Sequence, residues 1–171
     1  IPFQTAVTGG EVRVHVQRGN GKRETISVKV PAGITDGKKV RVRGQGEPAP
    51  GRGQAGDLLI TVRVASHPHF QRRGNNLEVR VPVTLAEAAL GAKIDVPSPR
   101  GTMTLTVPPG TSSGKRLRAK GQGVQAKGAP AGDLIAVIEI VLPDSLEPAD
   151  LELIRELEQR HPLQPRSDLR W

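Results

Sequence analysis

Residues 28–64 of this chain have a second copy further on. The first copy reads VKVPAGITDGKKVRVRGQGEPAPGRGQAGDLLITVRV, and from Leu105 the chain reads LTVPPGTSSGKRLRAKGQGVQAKGAPAGDLIAVIEIV. Pro31 matches Pro108, Gly33 matches Gly110, and Gly37 matches Gly114, at an offset of 77 (108 − 31). Gly44-Gln45-Gly46 and Gly121-Gln122-Gly123 keep that offset; Gly56-Asp57-Leu58 and Gly132-Asp133-Leu134 follow at 76 (132 − 56). A duplicated unit restricts the chain to two structurally equivalent halves. Each half, at about 75 residues, is large enough for a small core.

The residue pattern says what the halves are made of. Val12, Val14 and Val16 alternate with Arg13 and His15, and Ile26, Val28 and Val30 repeat the alternation. Period 2 marks strands with one apolar face. Leu58, Ile60, Val62 and Val64 close the first unit; Leu77, Val79, Val81 and Val83 open the second. Ile94, Val96, Met103, Leu105, Val107 and residues 134–142 complete it. Pro31 ends a strand because it cannot donate to a ladder. Asp36-Gly37 marks a turn, and residues 44–56 a Gly/Pro-rich loop. Only 2% of residues are aromatic, so the cores are built from Val, Ile and Leu. The expected fold is all-β: two tandem small β-sandwich domains, each with a short helix, plus a C-terminal helix. The expected boundaries are 1–76 and 77–145 for the sandwiches, 146–162 for the helix and 163–171 for a disordered tail.

Residues 85–90 read as a short helix stopped by Gly91. Residues 147–160 read as a longer one. Pro148 suits its first position, and Asp150 and Glu152 favour its positive end. Leu151, Ile154 and Leu157 share one face of that helix.

Several chemistries are excluded. The chain has no Cys, so neither disulfides nor a thiolate zinc site are available. His67-Pro68-His69 lacks metal-binding partners beyond His15. Gly44-x-Gly46 is followed by neither Lys-Ser/Thr nor a helix, so it is no phosphate cradle. Ser112 and Ser113 have no His nearby, and Asp57 and Asp133 recur once per copy as turn residues. No catalytic constellation is visible, no cofactor is expected, and no apolar run is long enough to span a membrane. The net charge of +8 is spread along the chain, as on a solvated strand surface.

Both copies carry PxG-x3-GKxxRxxGxG followed by GDL and an apolar strand. Between them stands Ser66-His67-Pro68-His69-Phe70-Gln71-Arg72-Arg73-Gly74-Asn75-Asn76-Leu77, then Leu85-Ala86-Glu87-Ala88-Ala89-Leu90-Gly91. In order and spacing these motifs resemble the C-terminal substrate-binding region of Hsp40 (DnaJ-type) co-chaperones over roughly residues 1–160. The family's zinc-binding insertion is replaced by residues 17–22, where Asn20-Gly21 suits a hairpin turn. The chain therefore resembles the zinc-free class, which includes proteins of the curved-DNA-binding protein A type. Gln4 and Thr5 stand where the family usually has an acidic pair, and Val12 where it often has Lys.

The resemblance implies a non-enzymatic, cytoplasmic client-binding fragment that holds unfolded polypeptides for delivery to Hsp70. The chain opens at Ile1 inside a motif, as a fragment without the ATPase-stimulating J-domain would. By position, Ile1, Phe3, Val14, Val16 and Phe70 would line the client groove, with Phe70 in a polar loop. Strand addition would supply sequence-independent ladder bonds, and the groove would select bulky apolar side chains. Arg13, His15 and Arg23 would receive the acidic C-terminal tail of an Hsp70. Leu151, Ile154 and Leu157 would form a two-fold dimer. The alternative function is DNA binding, for which the basic charge speaks and the scarcity of aromatics does not.

Overall fold

The computed structural model describes residues 1–19, 21–47 and 55–170. Asn20, Trp171 and the centre of the residue 44–56 loop lie outside the described residues. The chain divides into two compact units, Ile1–Ile140 and Val141–Trp171.

The first unit is all-β with two short helices, and the repeat is visible element by element. Helix α1 (Phe3–Thr8) leads through Gly9 into β1 (Gly10–Gln17), and helix α2 (Leu85–Leu90) through Gly91 into β7 (Ala92–Ser98). β1 pairs antiparallel with β2 (Arg23–Val30), and β7 with β8 (Gly101–Val107). β3 (Lys39–Val42) pairs with β4 (Leu58–Thr61) as β9 (Arg116–Ala119) pairs with β10 (Leu134–Val141). The second copy is larger. β5 (Phe70–Arg73) and β6 (Asn76–Thr84) join it in a sheet of order β5-β6-β10-β9. Arg18 N–H donates to Lys22 O at 2.9 Å and Gly21 N–H to Arg18 O at 2.8 Å between β1 and β2, while the Asn20 of the expected Asn20-Gly21 turn lies outside the described residues.

The expected strand faces determine what is buried. Ile26, Val28 and Val30 point inward while their neighbours on β2 are exposed. Ala6, Val30, Ile34 and Val62 form one apolar cluster, joined by Val12 and Val40. The other cluster gathers Leu77, Val79, Val81 and Val83 of β6 with Val96, Leu105, Val107 and the inner face of β10. α1 serves both: Ala6 lies in the first cluster and Val7 in the second. Arg72 adds polar stitching between the copies. Its guanidinium donates to Ile34 O at 2.7 Å and Gly33 O at 2.8 Å, and Nε donates to Gly74 O at 2.7 Å.

One expectation needs correcting. Phe70 sits in a strand, not a loop, and Phe70 to Arg73 pair with Val79 to Asn76. The signal was Gly74-Asn75, a two-residue hairpin turn in which Gly74 has φ +63°.

In the second unit, helix α3 (Pro148–Arg160) has Pro148 in its first turn. Glu147 N–H donates to Asp150 Oδ2 at 3.1 Å, which caps the first turn. After it, Ser167 N–H donates to Gln164 O and Leu169 N–H to Arg166 O, both at 3.2 Å, in overlapping turns.

Candidate functional site

The two phenylalanines of the chain come together although 67 positions separate them (70 − 3). α1 places Phe3 and β5 places Phe70, both half-buried against the larger cluster. His67 lies between them. Its ring centroid is 5.6 Å from that of Phe3 and 5.1 Å from that of Phe70, the latter edge-on at 81°. Such tilted and edge-to-face pairings are favoured by the ring quadrupoles. Around this trio is a depression of about 90 Å³ whose floor includes Val7 and Leu77. Pro97, Ser98 and Pro99 close one wall, and the exposed Gln4 and Thr8 stand at the rim. The lining is mostly apolar, and its polar side chains are Gln4, Thr8, His67 and Ser98.

His67 also fixes the backbone beneath it. Its Nδ1 accepts hydrogen bonds from the N–H of His69 and of Phe70, each at 3.1 Å. A neutral ring nitrogen that accepts carries no proton, so Nδ1 is bare and the ring proton is on Nε2. In the sequence His67-Pro68-His69 lacks metal-binding partners beyond His15. Among the described residues no group of three or more His, Cys, Asp or Glu could hold a metal ion. The histidine's local role was hidden because ring-to-backbone bonding depends on the turn it makes.

The other expected groove residues lie elsewhere. Val14 and Val16 are half-buried on β1, opposite Ile26 and Glu24. Ile1 packs against the smaller cluster, and its ammonium donates to Arg63 O at 2.6 Å. The structure thus joins Phe3 and Phe70 in one depression and leaves Ile1, Val14 and Val16 outside its lining. Val7, Leu77, Pro97 and Pro99 were not foreseen there. They come from three places in the chain, and only the topology assembles them.

Arg13, His15 and Arg23 are exposed on the outer face of the β1–β2 ribbon, away from Val14 and Val16. They lie opposite Ser27, Thr25 and Gln17, and His15 Nδ1 is 2.9 Å from Thr25 Oγ1. On α3, Leu151, Ile154 and Leu157 are 41%, 40% and 53% exposed, and no residue of the helix is buried. No helix among the described residues is long and apolar enough to cross a membrane.

Two copies of one all-β unit, each led by a short helix, define the class of the fold. The signature of the DnaJ C terminal domain matches residues 1–143, and the chain belongs to that family. Its similarity to the curved DNA-binding protein of Pseudomonas putida (strain GB-1) is 41% identity over 151 residues, covering 88% of this chain and 48% of the relative. The curved DNA-binding protein of Escherichia coli O7:K1 is 42% identical over 146 residues, covering 85% and 47%. Chaperone protein DnaJ 1 of Streptomyces avermitilis is 45% identical over 130 residues, covering 74% and 33%. The chain spans at most about half the length of these relatives.

Proposed function

We propose that this chain is the client-binding part of a zinc-free Hsp40-type co-chaperone. It works in the cytoplasm, holds apolar segments of unfolded polypeptides for transfer to an Hsp70, and carries out no catalysis of its own. The observation that carries this reading is the depression around Phe3 and Phe70, an apolar surface open to solvent where neutral side chains line it. Such a surface takes a bulky apolar side chain without demanding a particular sequence around it. Ile1, Val14 and Val16 extend the client path beyond the depression in this reading. The outer face bearing Arg13, His15 and Arg23 meets an acidic Hsp70 tail, and α3 pairs with a second copy. Residues 1–76 and 77–145 act as the two sandwich domains.

The test is Gln4→Trp, which puts an indole at the rim of the depression from an exposed position. Affinity for a labelled, permanently unfolded polypeptide should fall about tenfold, a change of ~1.4 kcal/mol, with an unchanged melting curve. Unchanged affinity would remove the depression from the client path. A second reading, duplex binding, is favoured by the relatives named curved DNA-binding proteins and by the +8 charge. Dispersed charge predicts weak binding that falls steeply with salt. Tight binding that resists salt would rank DNA above clients.

A further inference from the structure

We propose that His67 is a proton-controlled positioning residue: its neutral ring holds Phe70 at the depression, and an imidazolium at this place releases it. The argument begins with the two N–H groups, from His69 and Phe70, that converge on one ring nitrogen. Nδ1 can accept them only while it keeps its lone pair. An imidazolium is a donor at both nitrogens, so an Nδ1–H would face two other donors. Both bonds would be lost in one step. The ring would have to turn away, breaking the edge-on contact with Phe70 and the tilted contact with Phe3.

Among the described residues, no charged side chain lines the depression to compensate such a charge. α1 carries no charged side chain, β6 contributes Leu77, and the end of β7 contributes Pro97 and Ser98. The charged residues of β5 are engaged elsewhere: Arg72 with the carbonyls of Gly33, Ile34 and Gly74, and Arg73 with Glu78 at 3.6 Å. The titratable group in ring contact with His67 is His69, at 6.1 Å, and a charge there would add repulsion. The sign is therefore fixed. The ordered arrangement requires the neutral ring and is lost when the ring takes a second proton. That client affinity follows Phe70 rests on the client-binding reading above; the positioning itself does not.

The experiment is a pH series from 8 to 5 on the histidine-labelled full chain. It reads ring-nitrogen chemical shifts, Phe70 amide exchange and affinity for the unfolded polypeptide. At pH 8, His67 Nδ1 should give the shift of an unprotonated nitrogen and the Phe70 amide should be protected. At pH 5, Phe70 exchange, corrected for its intrinsic pH dependence, should be about tenfold faster. His67→Asn is the informative variant. Its Oδ1 can accept from backbone N–H groups just ahead in the chain, as in an Asx turn, and it does not titrate. It should keep Phe70 protected at both pH values. His67→Leu should lose protection at both. The proposal is overturned if wild-type protection is independent of pH, if His67→Asn keeps the pH dependence, or if His69→Asn abolishes it. Should protection follow pH while client affinity does not, His67 keeps its role and the client reading fails.

Discussion

Asp57 and Asp133 stand at equivalent places and make equivalent bonds. One carboxylate oxygen accepts from the N–H of Gly44 at 2.9 Å or of Gly121 at 2.8 Å. The other meets Arg41 or Arg118. These contacts hold both carboxyls below the ordinary Asp range, the glycine N–H being the largest cause and the arginine reinforcing it. A carboxyl depressed in the folded state stabilises the fold above its unfolded value and ceases to do so as pH falls through the folded one. Asp133→Asn should therefore melt a few degrees below wild type at pH 7, and the gap should begin to narrow below about pH 4, where the unfolded carboxyl protonates, and close only as pH falls through the lower folded-state value. Thermal scans at pH 7 and pH 3 decide it; a gap as wide at pH 3 as at pH 7 would mean that the ionised form is not what stabilises. The sequence announced both aspartates as turn residues, because each follows Gly and precedes a strand in both copies. It did not announce their arginines, which come from the neighbouring strand 15 or 16 positions earlier. His67 shows the same limit: its residue type is visible, while the two amides it accepts are a product of the turn.

At the scale of elements, the junction of each short helix with the next strand is set by one glycine. Gly91 has φ +83°, and a Cβ there would lie 3.0 Å from Pro109 N and 3.1 Å from Val107 O. Gly9 has φ +76°, with Ala32 N at 2.8 Å and Val30 O at 3.1 Å from the same point. On both copies the added Cβ would meet backbone, joined at Gly91 by the rigid Pro109 ring, and no flexible side chain is there to yield. Gly91→Ala should destabilise the fold by about 1–3 kcal/mol, read from urea unfolding with an unchanged m-value. A loss near zero would show that the helix–strand turn relaxes freely. Most elements were legible from alternation and glycine stops, including α2, whose Thr84 and Glu87 form a capping box. β5 was not, because Phe70-Gln71-Arg72-Arg73 has a single apolar residue and takes its strand form from pairing with β6. The depression was half legible for a related reason. Position in a motif picked out Phe3 and Phe70, whereas Pro97 and Leu77 arrive there through the packing of β7 and β6.

At the scale of the molecule, α1 belongs to two cores, so the copies cannot be treated as beads on a string: Ala6 and Val7, adjacent in sequence, serve different clusters. α3 poses the opposite question, that of an apolar stripe without a core. Leu151, Ile154 and Leu157 recur at helical spacing and each is at least 40% exposed, with Leu153 beside them at 63%. Capping at Glu147 and Asp150 and the ion pair of Arg160 with Glu156 at 2.7 Å favour the helix itself. Those features do not cover the stripe. Apolar surface left in water forgoes about 25 cal/mol per Å² of burial, and a two-fold partner would cover the same stripe on both chains. We propose that α3 dimerises the protein through these three residues. A dimer would offer two depressions to one unfolded chain, and linked weak sites raise avidity without new contacts. Ile154→Asp, or truncation before Glu147, should give a folded monomer with weaker hold on long clients and little change for a short peptide. Light scattering at micromolar concentration tests the first half and paired titrations with long and short ligands the second. A wild-type chain that scatters as a monomer would leave α3 without this role.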